Sequence, residues 1–171
     1  MEWRLRRASA ADAAILSLVA GATFLEAFAG VLDGVDILAH VARNSSADAF
    51  TRYLGQGAVA TLAEARQGAA PLGYTLLTTP DLPIEPKPSD VELKRIYALT
   101  PTHGQGLGPA LMQRAVEDAR AMGHKRLLLG VYGGNARAHR FYTKQGMSVI
   151  GERRFLVGAT WHDDLVFARD L

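Results

Sequence analysis

The sequence contains no cysteine. Disulfide bonds, thiolate metal sites and a cysteine nucleophile are therefore excluded, and the absence is typical of proteins from the reducing cytosol. The residues from Met1 to Leu5 lack the apolar core of a signal peptide. No uninterrupted apolar run approaches the ~20 residues of a membrane span. We therefore expect a cytoplasmic protein that does not contact a membrane.

A strong excess of charge is also missing. The 171 residues include 19 Lys and Arg against 17 Asp and Glu, a net charge of +2, which gives no reason to expect nucleic acid as a partner. The apolar content of 49% is that of an ordinary globular protein. Four histidines, His40, His124, His139 and His162, lack metal-ligand spacing, so no metal is expected. We interpret them, and the pair Asp163-Asp164, as surface or local structural residues.

Apolar periodicity and turn residues predict an alternation of strands and helices. Strands are predicted over residues 3–7, 59–65, 72–78, 92–99, 125–131, 148–154 and 160–169. Helices are predicted over residues 10–29, 35–54 with a break at 44–46, 109–122 and 135–146. Strands and helices alternate in the middle while hairpins lie at the ends, which indicates a mixed sheet flanked by helices. One domain over residues 1–171 suffices.

The strongest local motif is a glycine-rich turn between a predicted strand and a predicted helix. Gly104, Gly106 and Gly108 alternate there, and Pro109 follows near the first helical turn. Glycines let a phosphate approach the backbone, and the first amides of a helix are available as donors. The glycines alone indicate an anion site and a turn without ligand about equally. The spacing fits neither the dinucleotide fingerprint nor the phosphate loop.

A second motif runs from Asn135 to Met147. Asn135 is typical of a helix N-cap, and Gly146 is typical of a helix end. Tyr142 lies one turn before that end. Its hydroxyl is a donor with an ordinary pKa of ~10, suited to protonating a departing thiolate. Considered alone, Tyr142 is more often a packing residue than a catalytic one.

Together the two motifs resemble those of the GCN5-related N-acetyltransferase family. The segment His103-Gly104-Gln105-Gly106-Leu107-Gly108 is similar to the family's Arg/Gln-x-x-Gly-x-Gly/Ala motif. The segment from Asn135 to Gly146 is similar to its Asn-x-x-Ala-x-x-x-Tyr-x-x-x-Gly pattern. The resemblance spans nearly the whole chain and implies an α/β (α+β) fold. Its twisted, mixed, mostly antiparallel sheet of about seven strands would splay between the fourth and fifth and carry four or so flanking helices.

The resemblance also implies roles for individual residues, with acetyl-coenzyme A as co-substrate. Tyr142 would be the general acid for the leaving thiolate, with Asn135 beside the thioester and Ala138 in the same cofactor set. Strand residues would pair through their backbone with the pantetheine arm, and turn residues would surround the pyrophosphate. The strand residues are Ile96, Tyr97 and Ala98, and the turn residues are His103, Gly104, Gln105, Gly106, Leu107, Gly108 and Pro109.

The base that deprotonates the incoming amine is less well defined. Some family members carry a carboxylate on the strand over residues 125–131, but this sequence has none there. Glu92, on the preceding strand, is the nearest candidate. A solvated carboxylate at a strand end is an equally good interpretation.

The resemblance places the acceptor beside the first two helices. Phe24, Glu26, Phe28 and Tyr53 would lie near it, although Phe24 and Phe28 are better interpreted as packing residues. The segments 22–28 and 95–99 look like the spermine/spermidine acetyltransferase branch, which suggests a polyamine.

We therefore expect an N-acetyltransferase acting on the primary amine of a small, polyamine-like molecule or a peptide. The alternative is a catalytically quiet acyl-CoA-binding or sensing module, which His103 and the missing strand carboxylate favour. A nucleotide-binding regulator is a third hypothesis. Family members often dimerise through their closing strands, which here carry Trp161 and Phe167, so a homodimer is possible.

Overall fold

The computed structural model describes residues 1–157 and 160–171, and its centre is a seven-stranded sheet with helices on both faces. The strands are β1 (Trp3–Arg7), β2 (Val59–Ala65), β3 (Pro71–Thr78), β4 (Asp90–Ala98), β5 (Arg126–Tyr132), β6 (Ser148–Val157) and β7 (Thr160–Asp170). The helices are α1 (Ala13–Phe28), α2 (Gly34–Asn44), α3 (Ala47–Gly55), α4 (Leu107–Ala121) and α5 (Ala136–Lys144). The predicted seven strands are confirmed, with five α-helices around them.

The sheet opens between β4 and β5. Its order is β1-β2-β3-β4-β5-β7-β6, and β4 and β5 run parallel while their neighbours are antiparallel. The β4–β5 ladder joins residues 90–92 to residues 126–128 and stops there, although both strands continue. The predicted splay between the fourth and fifth strands is therefore confirmed. We call the paired end of these strands the closed end and the diverging end the open end.

Each face of the sheet buries its own apolar core, because successive strand residues point to opposite faces. The front face is covered by α1 and α3 and includes Leu16, Phe50, Leu62, Tyr74 and Leu76. The back face is covered by α4 and α5 and includes Met112, Val116, Leu129, Tyr142 and Phe167. Two-sided burial explains why β5 reads as a continuous apolar run.

The first helical segment is strongly apolar, although polar residues such as Asp12 and Ser17 interrupt it. Ala10–Phe28, with a mean hydropathy of 1.5, is long and apolar enough to cross a membrane by length and composition. Leu16, Val19 and Ala20 of this segment pack into the front core. A helix that covers a sheet in this way passes the same test of length and composition.

The closing strands contain one buried and one exposed aromatic residue. Phe167 is 2% exposed and belongs to the back core, whereas Trp161 is 54% exposed. The Arg154 guanidinium lies 5.2 Å from the centre of the Trp161 ring. Phe167 is therefore a core residue, and dimerisation through these strands stays a prediction.

Candidate functional site

The connection from β4 to α4 turns at two glycines. Gly104 and Gly106 have φ angles of 78° and 82°, left-handed values that a residue with a Cβ rarely adopts. A short 3-10 turn over Thr100–Thr102 precedes them, and Gly106 is the N-cap of α4. The predicted order of strand, glycine turn and helix is confirmed. The helix begins at Leu107, slightly earlier than expected.

The start of α4 presents backbone amides without acceptors. Across the described residues, the N–H groups of Gly104, Gly106, Leu107 and Gly108 donate no hydrogen bond. Ala110 is the first residue of the helix whose N–H donates a backbone hydrogen bond to the preceding turn, to the Gly106 carbonyl oxygen at 3.1 Å. Unpaired amides at the positive end of a helix dipole form an anion site. The geometry therefore supports the anion interpretation of the glycine motif.

Two side chains of the motif are tied to the loop itself. The His103 Nε2 lies 2.9 Å from the Ala98 carbonyl oxygen, to which it donates. The Gln105 Nε2 donates to the Pro101 carbonyl at 2.7 Å, and its Oε1 accepts from the Met1 amino group at 2.7 Å. If Gln105 contributes to binding an anion, it does so through its backbone.

The open end of β4 offers backbone groups to a ligand. The Tyr97 carbonyl faces Gly73 of β3, where an added Cβ would come within 2.6 Å of it. Because backbone groups of an antiparallel strand alternate between its two sides, those of Ile96 and Ala98 point into the opening. The predicted pairing of Ile96, Tyr97 and Ala98 with a pantetheine arm stays a prediction, and Ile96 and Ala98 are the residues whose backbone groups face the opening.

Helix α5 begins beside α4, with Asn135 as its N-cap. The Asn135 Oδ1 accepts the Ala138 N–H at 3.0 Å, which confirms the predicted cap. A Cβ on Gly108 would lie 3.6 Å from the Phe141 ring. Glycine at this position therefore lets the first turn of α4 approach α5 closely.

Tyr142 lies in the back core next to the opening. Its ring contacts those of Phe141 and Phe167, and the residue is 8% exposed. Burial, and to a smaller extent the neighbouring Tyr97, raises the pKa of Tyr142 well above its usual range. In the part of the chain that the structure describes, the Tyr142 hydroxyl has no hydrogen-bond partner. A protonated, uncommitted hydroxyl is what a general acid requires.

Glu92 lies on the front face at the last rung of the β4–β5 ladder, opposite Leu128. The residue is 2% exposed, so its interpretation as a solvated strand-end carboxylate is wrong. Its Oε2 accepts the Asp81 N–H at 2.8 Å, and its Oε1 lies 3.9 Å from the Lys94 Nζ. A role for Glu92 as base stays a prediction.

Phe24 and Phe28 pack α1 against α2. Their ring centres are 4.5 Å apart, and the His40 ring stacks on Phe24 at 4.2 Å. Both phenylalanines join Ile37 in a small core, so the packing interpretation is confirmed. Burial, with the positive charge of Arg95 second, lowers the pKa of His40 to about 4. Of the two interpretations of His40, surface or local structural, its stacking on Phe24 therefore supports the second.

The other two predicted acceptor residues lie apart from each other. The Glu26 carboxylate accepts the Thr100 N–H at 2.9 Å and its hydroxyl at 3.1 Å. Tyr53 lines a shallow cavity of about 210 Å³ with Lys94 and Asp81. A role for the four predicted residues in binding the acceptor stays a prediction.

A group that the sequence did not reveal lies on the front face near the open end. Gly130 leaves room for the Arg153 guanidinium, since an added Cβ would lie 2.5 Å from it. The Arg153 Nε donates to the Asp164 Oδ2 at 3.2 Å. Asp164 is 5% exposed, so its surface interpretation is wrong. Burial raises the pKa of Asp164, and Arg153 offsets part of that rise.

Arg95 adds a buried cation to the same face. It is 9% exposed, and its guanidinium donates to the Asn44 carbonyl at 2.6 Å and lies over the Phe50 and Tyr53 rings. No carboxylate lies within ion-pair distance of it among residues 1–157 and 160–171. The carbonyl end of α2 offsets its charge. Over the same residues, no group of three or more His, Asp or Glu side chains could hold a metal.

Comparison with known proteins agrees with this geometry. Residues 37–147 match the family model described as the acetyltransferase (GNAT) family. The chain belongs to this family. An uncharacterized N-acetyltransferase of Mycobacterium tuberculosis is 36% identical over 160 residues, which is 94% of this chain and 98% of the relative. An uncharacterized N-acetyltransferase of Lactobacillus delbrueckii subsp. lactis is 31% identical over 100 residues, 58% of each chain.

Solved structures share the GNAT fold over the full length of the chain. The PaiA N-acetyltransferase from Thermoplasma acidophilum, in complex with coenzyme A, gives a TM-score of 0.80 at 19% identity and covers 100% of both chains. The putative acetyltransferase YncA from Salmonella typhimurium, with acetyl-CoA, gives a TM-score of 0.68 at 19% identity. The match covers 99% of this chain and 94% of the YncA chain. At these identities the likeness establishes the fold alone.

Proposed function

We propose that this GNAT chain transfers the acetyl group of acetyl-CoA directly to the primary amine of a small molecule or a peptide. The observation that carries the proposal is the set of four unpaired amides between Gly104 and Gly108, beside the open end of β4 and β5. Tyr142 packs in the core that holds Ile96 and Val131, the strand residues on either side of that opening. An anion site, an open strand edge and a protonated hydroxyl thus lie together.

Each part of the site has a defined task in this reaction. Acetyl-CoA would supply an activated acetyl thioester. The amides from Gly104 to Gly108 would hold its pyrophosphate, and the backbone groups of Ile96 and Ala98 would position its pantetheine arm. Tyr142 would give its proton to the departing thiolate.

The charges of the front face bear on the choice of amine. A polyamine carries several positive charges, whereas the front face already holds the buried Arg95 and the partly buried Arg153, and its buried carboxylates Glu92 and Asp164 each lie near a cation of the chain. Like charges in a partly desolvated site repel strongly, and the Glu26 carboxylate is engaged by Thr100. We therefore favour an amine with one positive charge over a polycation.

The second candidate, a quiet acyl-CoA-binding module, is favoured by His103. Its imidazole donates to the Ala98 carbonyl, one of the backbone groups that a pantetheine arm would use. A module of this kind would bind coenzyme A and release no thiol when amines are added.

Thiol release from acetyl-CoA over a panel of monoamines, polyamines and peptide amino termini tests the proposal. We expect turnover with a monoamine or a peptide amine, and a strong loss of turnover in Tyr142→Phe. Tyr74→Phe, which removes a hydroxyl from the buried front core, serves as the matched control. Coenzyme A binding without turnover on any amine would favour the quiet module.

A further inference from the structure

The open end of the splay places a buried carboxylate opposite Tyr97. The last rung of the β4–β5 ladder is Glu92 with Leu128, and β4 carries a one-residue bulge beyond it. Continuing that register brings Tyr97 level with Tyr132, and Tyr132 pairs directly with Asp164 of β7. Because side chains alternate between the two faces along each strand, Tyr97 and Asp164 both lie on the front face. The two side chains therefore stand at the same height on opposite sides of the opening.

Electrostatics supports this proximity. Burial raises the pKa of Tyr97, and the Asp164 carboxylate raises it further, while Arg153 acts in the opposite direction. Tyr97 in turn influences Tyr142. Tyr97 is therefore within electrostatic range of both Tyr142 in the back core and the Asp164 carboxylate on the front face.

Asp164 retains capacity for another hydrogen bond. Its Oδ2 accepts from the Arg153 Nε at 3.2 Å, and its Oδ1 accepts nothing from the residues that the structure describes. The titratable groups around it are Arg153 on β6, His162 and Asp163 on β7, Tyr132 on β5 and Tyr97 on β4. A buried carboxylate with an unfilled oxygen is suited to accepting a proton.

We propose that Asp164 is the base that takes the proton from the ammonium group of the acceptor, an inference that rests on the proposed acetyl transfer. The ammonium nitrogen gives one proton to the Asp164 Oδ1 and attacks the thioester carbonyl carbon with the freed electron pair. The carbon–nitrogen bond forms and the carbon–sulfur bond breaks. The thiolate takes the Tyr142 proton, the tyrosinate takes the second proton of the nitrogen, and Asp164 releases its proton to water.

The other acids near the splay are already engaged. Asp90 accepts two hydrogen bonds from the Arg126 guanidinium at the closed end. Glu92 accepts the Asp81 N–H and lies on the last paired rung, before the strands diverge. Asp163 is exposed and alternates to the other side of β7. Only Asp164, among these carboxylates, combines burial with a position at the open end.

The imidazole of His162 is the competing base on this face. Its ring meets that of Tyr132 edge-on at 5.6 Å, and its Nε2 is buried without a hydrogen-bond partner among the described residues. The charge of His162 also acts on Asp164. The experiment therefore includes both residues.

Asp164→Asn, His162→Gln and the control Asp163→Asn would be compared with the wild type, using the best amine of the panel and its aminooxy analogue. An aminooxy nitrogen is unprotonated at neutral pH and needs no base before attack. We expect Asp164→Asn to lower kcat/KM for the alkyl amine about 100-fold and to lower it for the aminooxy analogue by no more than about threefold. The two other variants should retain the wild-type values for both compounds.

The outcomes separate the inference from the proposed function. Equal losses on the two compounds, or a selective loss in His162→Gln instead, would overturn Asp164 as the base. A wild type that acetylates no amine would overturn both proposals. If Asp164→Asn does not fold, Asp164→Glu replaces it; the displaced carboxylate should slow the alkyl amine about tenfold, and wild-type rates on both compounds would contradict the inference.

Discussion

The closed and open ends of the β4–β5 pair each bury one aspartate, at 3% exposure for Asp90 and 5% for Asp164. At the closed end, Asp90 accepts two hydrogen bonds from Arg126 at 2.8 and 2.6 Å, which lower its pKa despite its burial. At the open end, Asp164 accepts one at 3.2 Å from Arg153, and burial raises its pKa. The pKa values of the two aspartates thus shift in opposite directions, because the hydrogen bonds from Arg126 dominate at Asp90, whereas Asp164 lies deeper among protein atoms and desolvation dominates there.

The difference separates two tasks within one sheet. The Asp90–Arg126 pair joins the starts of β4 and β5, so it fixes the point from which the strands diverge. Asp164 lies where the ladder has ended and where a reactive amine would enter. A carboxylate held by three short bonds, two from Arg126 and one from the Lys87 N–H at 2.7 Å, serves the fold. A carboxylate held by a single longer bond retains the capacity to exchange a proton.

The largest expected effect comes from breaking the closed end. Asp90→Asn leaves the Arg126 guanidinium without its buried charge partner, so it should lower the free energy of unfolding by about 3 kcal/mol. Urea denaturation of the variant and the wild type measures this. Asp164→Asn is the matched control and should lose less than about 1 kcal/mol. Equal losses in the two variants would remove the distinction between the ends.

Removing the proposed acid at the open end should affect catalysis instead of stability. Tyr142→Phe deletes a hydroxyl that makes no hydrogen bond in the described chain, so the fold should be retained. We expect kcat to fall about 100-fold with the Kd for coenzyme A unchanged. Steady-state kinetics and calorimetric titration provide the two measurements. A kcat near that of the wild type would assign Tyr142 to packing.

The anion site at the start of α4 should be separable from helix stability. Gly106 and Gly123 flank α4, both with positive φ and with open space where a Cβ would be added. Alanine at either position costs about 1–2 kcal/mol in the left-handed conformation. Only Gly106→Ala should also weaken coenzyme A binding, by about tenfold, because it displaces the free amides. Similar affinities in the two variants would contradict the anion site.

The smallest expected effect is a difference in how stability depends on pH. The folded-state pKa of Asp90 is lowered. Its contribution to the free energy of unfolding is therefore present above the unfolded pKa and is lost as the pH falls through the folded pKa. The folded-state pKa of Asp164 is raised. Its contribution to the free energy of unfolding is therefore present at low pH and is lost as the pH rises through that pKa.

Denaturation between pH 3 and pH 7 measures both dependences. The stability advantage of the wild type over Asp90→Asn should shrink as the pH falls, and its advantage over Asp164→Asn should grow. Parallel curves for the two variants would contradict the opposite pKa shifts.

Most of the fold could be predicted from the sequence because its signals are local. The alternation in Trp3–Arg7, the break after Asn44 and the glycine turn before Leu107 each act within a few residues. The cofactor half of the site follows the same logic, since its free amides come from one short segment. By contrast, the surroundings of the acceptor residues depend on neighbours distant in sequence, and Phe24, Glu26 and Tyr53 have separate partners.

By itself, the sequence determined the order of helices and strands and the position of the proposed anion site, because the conformational preferences of Gly104, Gly106 and Asn135 operate locally. Only the tertiary structure decided which carboxylate lies at the open end of the splay. Asp163 and Asp164 are adjacent and chemically identical in the sequence. The register of β7 against β5 and β6 exposes the first and buries the second beside Arg153, and that register depends on pairing between strands distant along the chain.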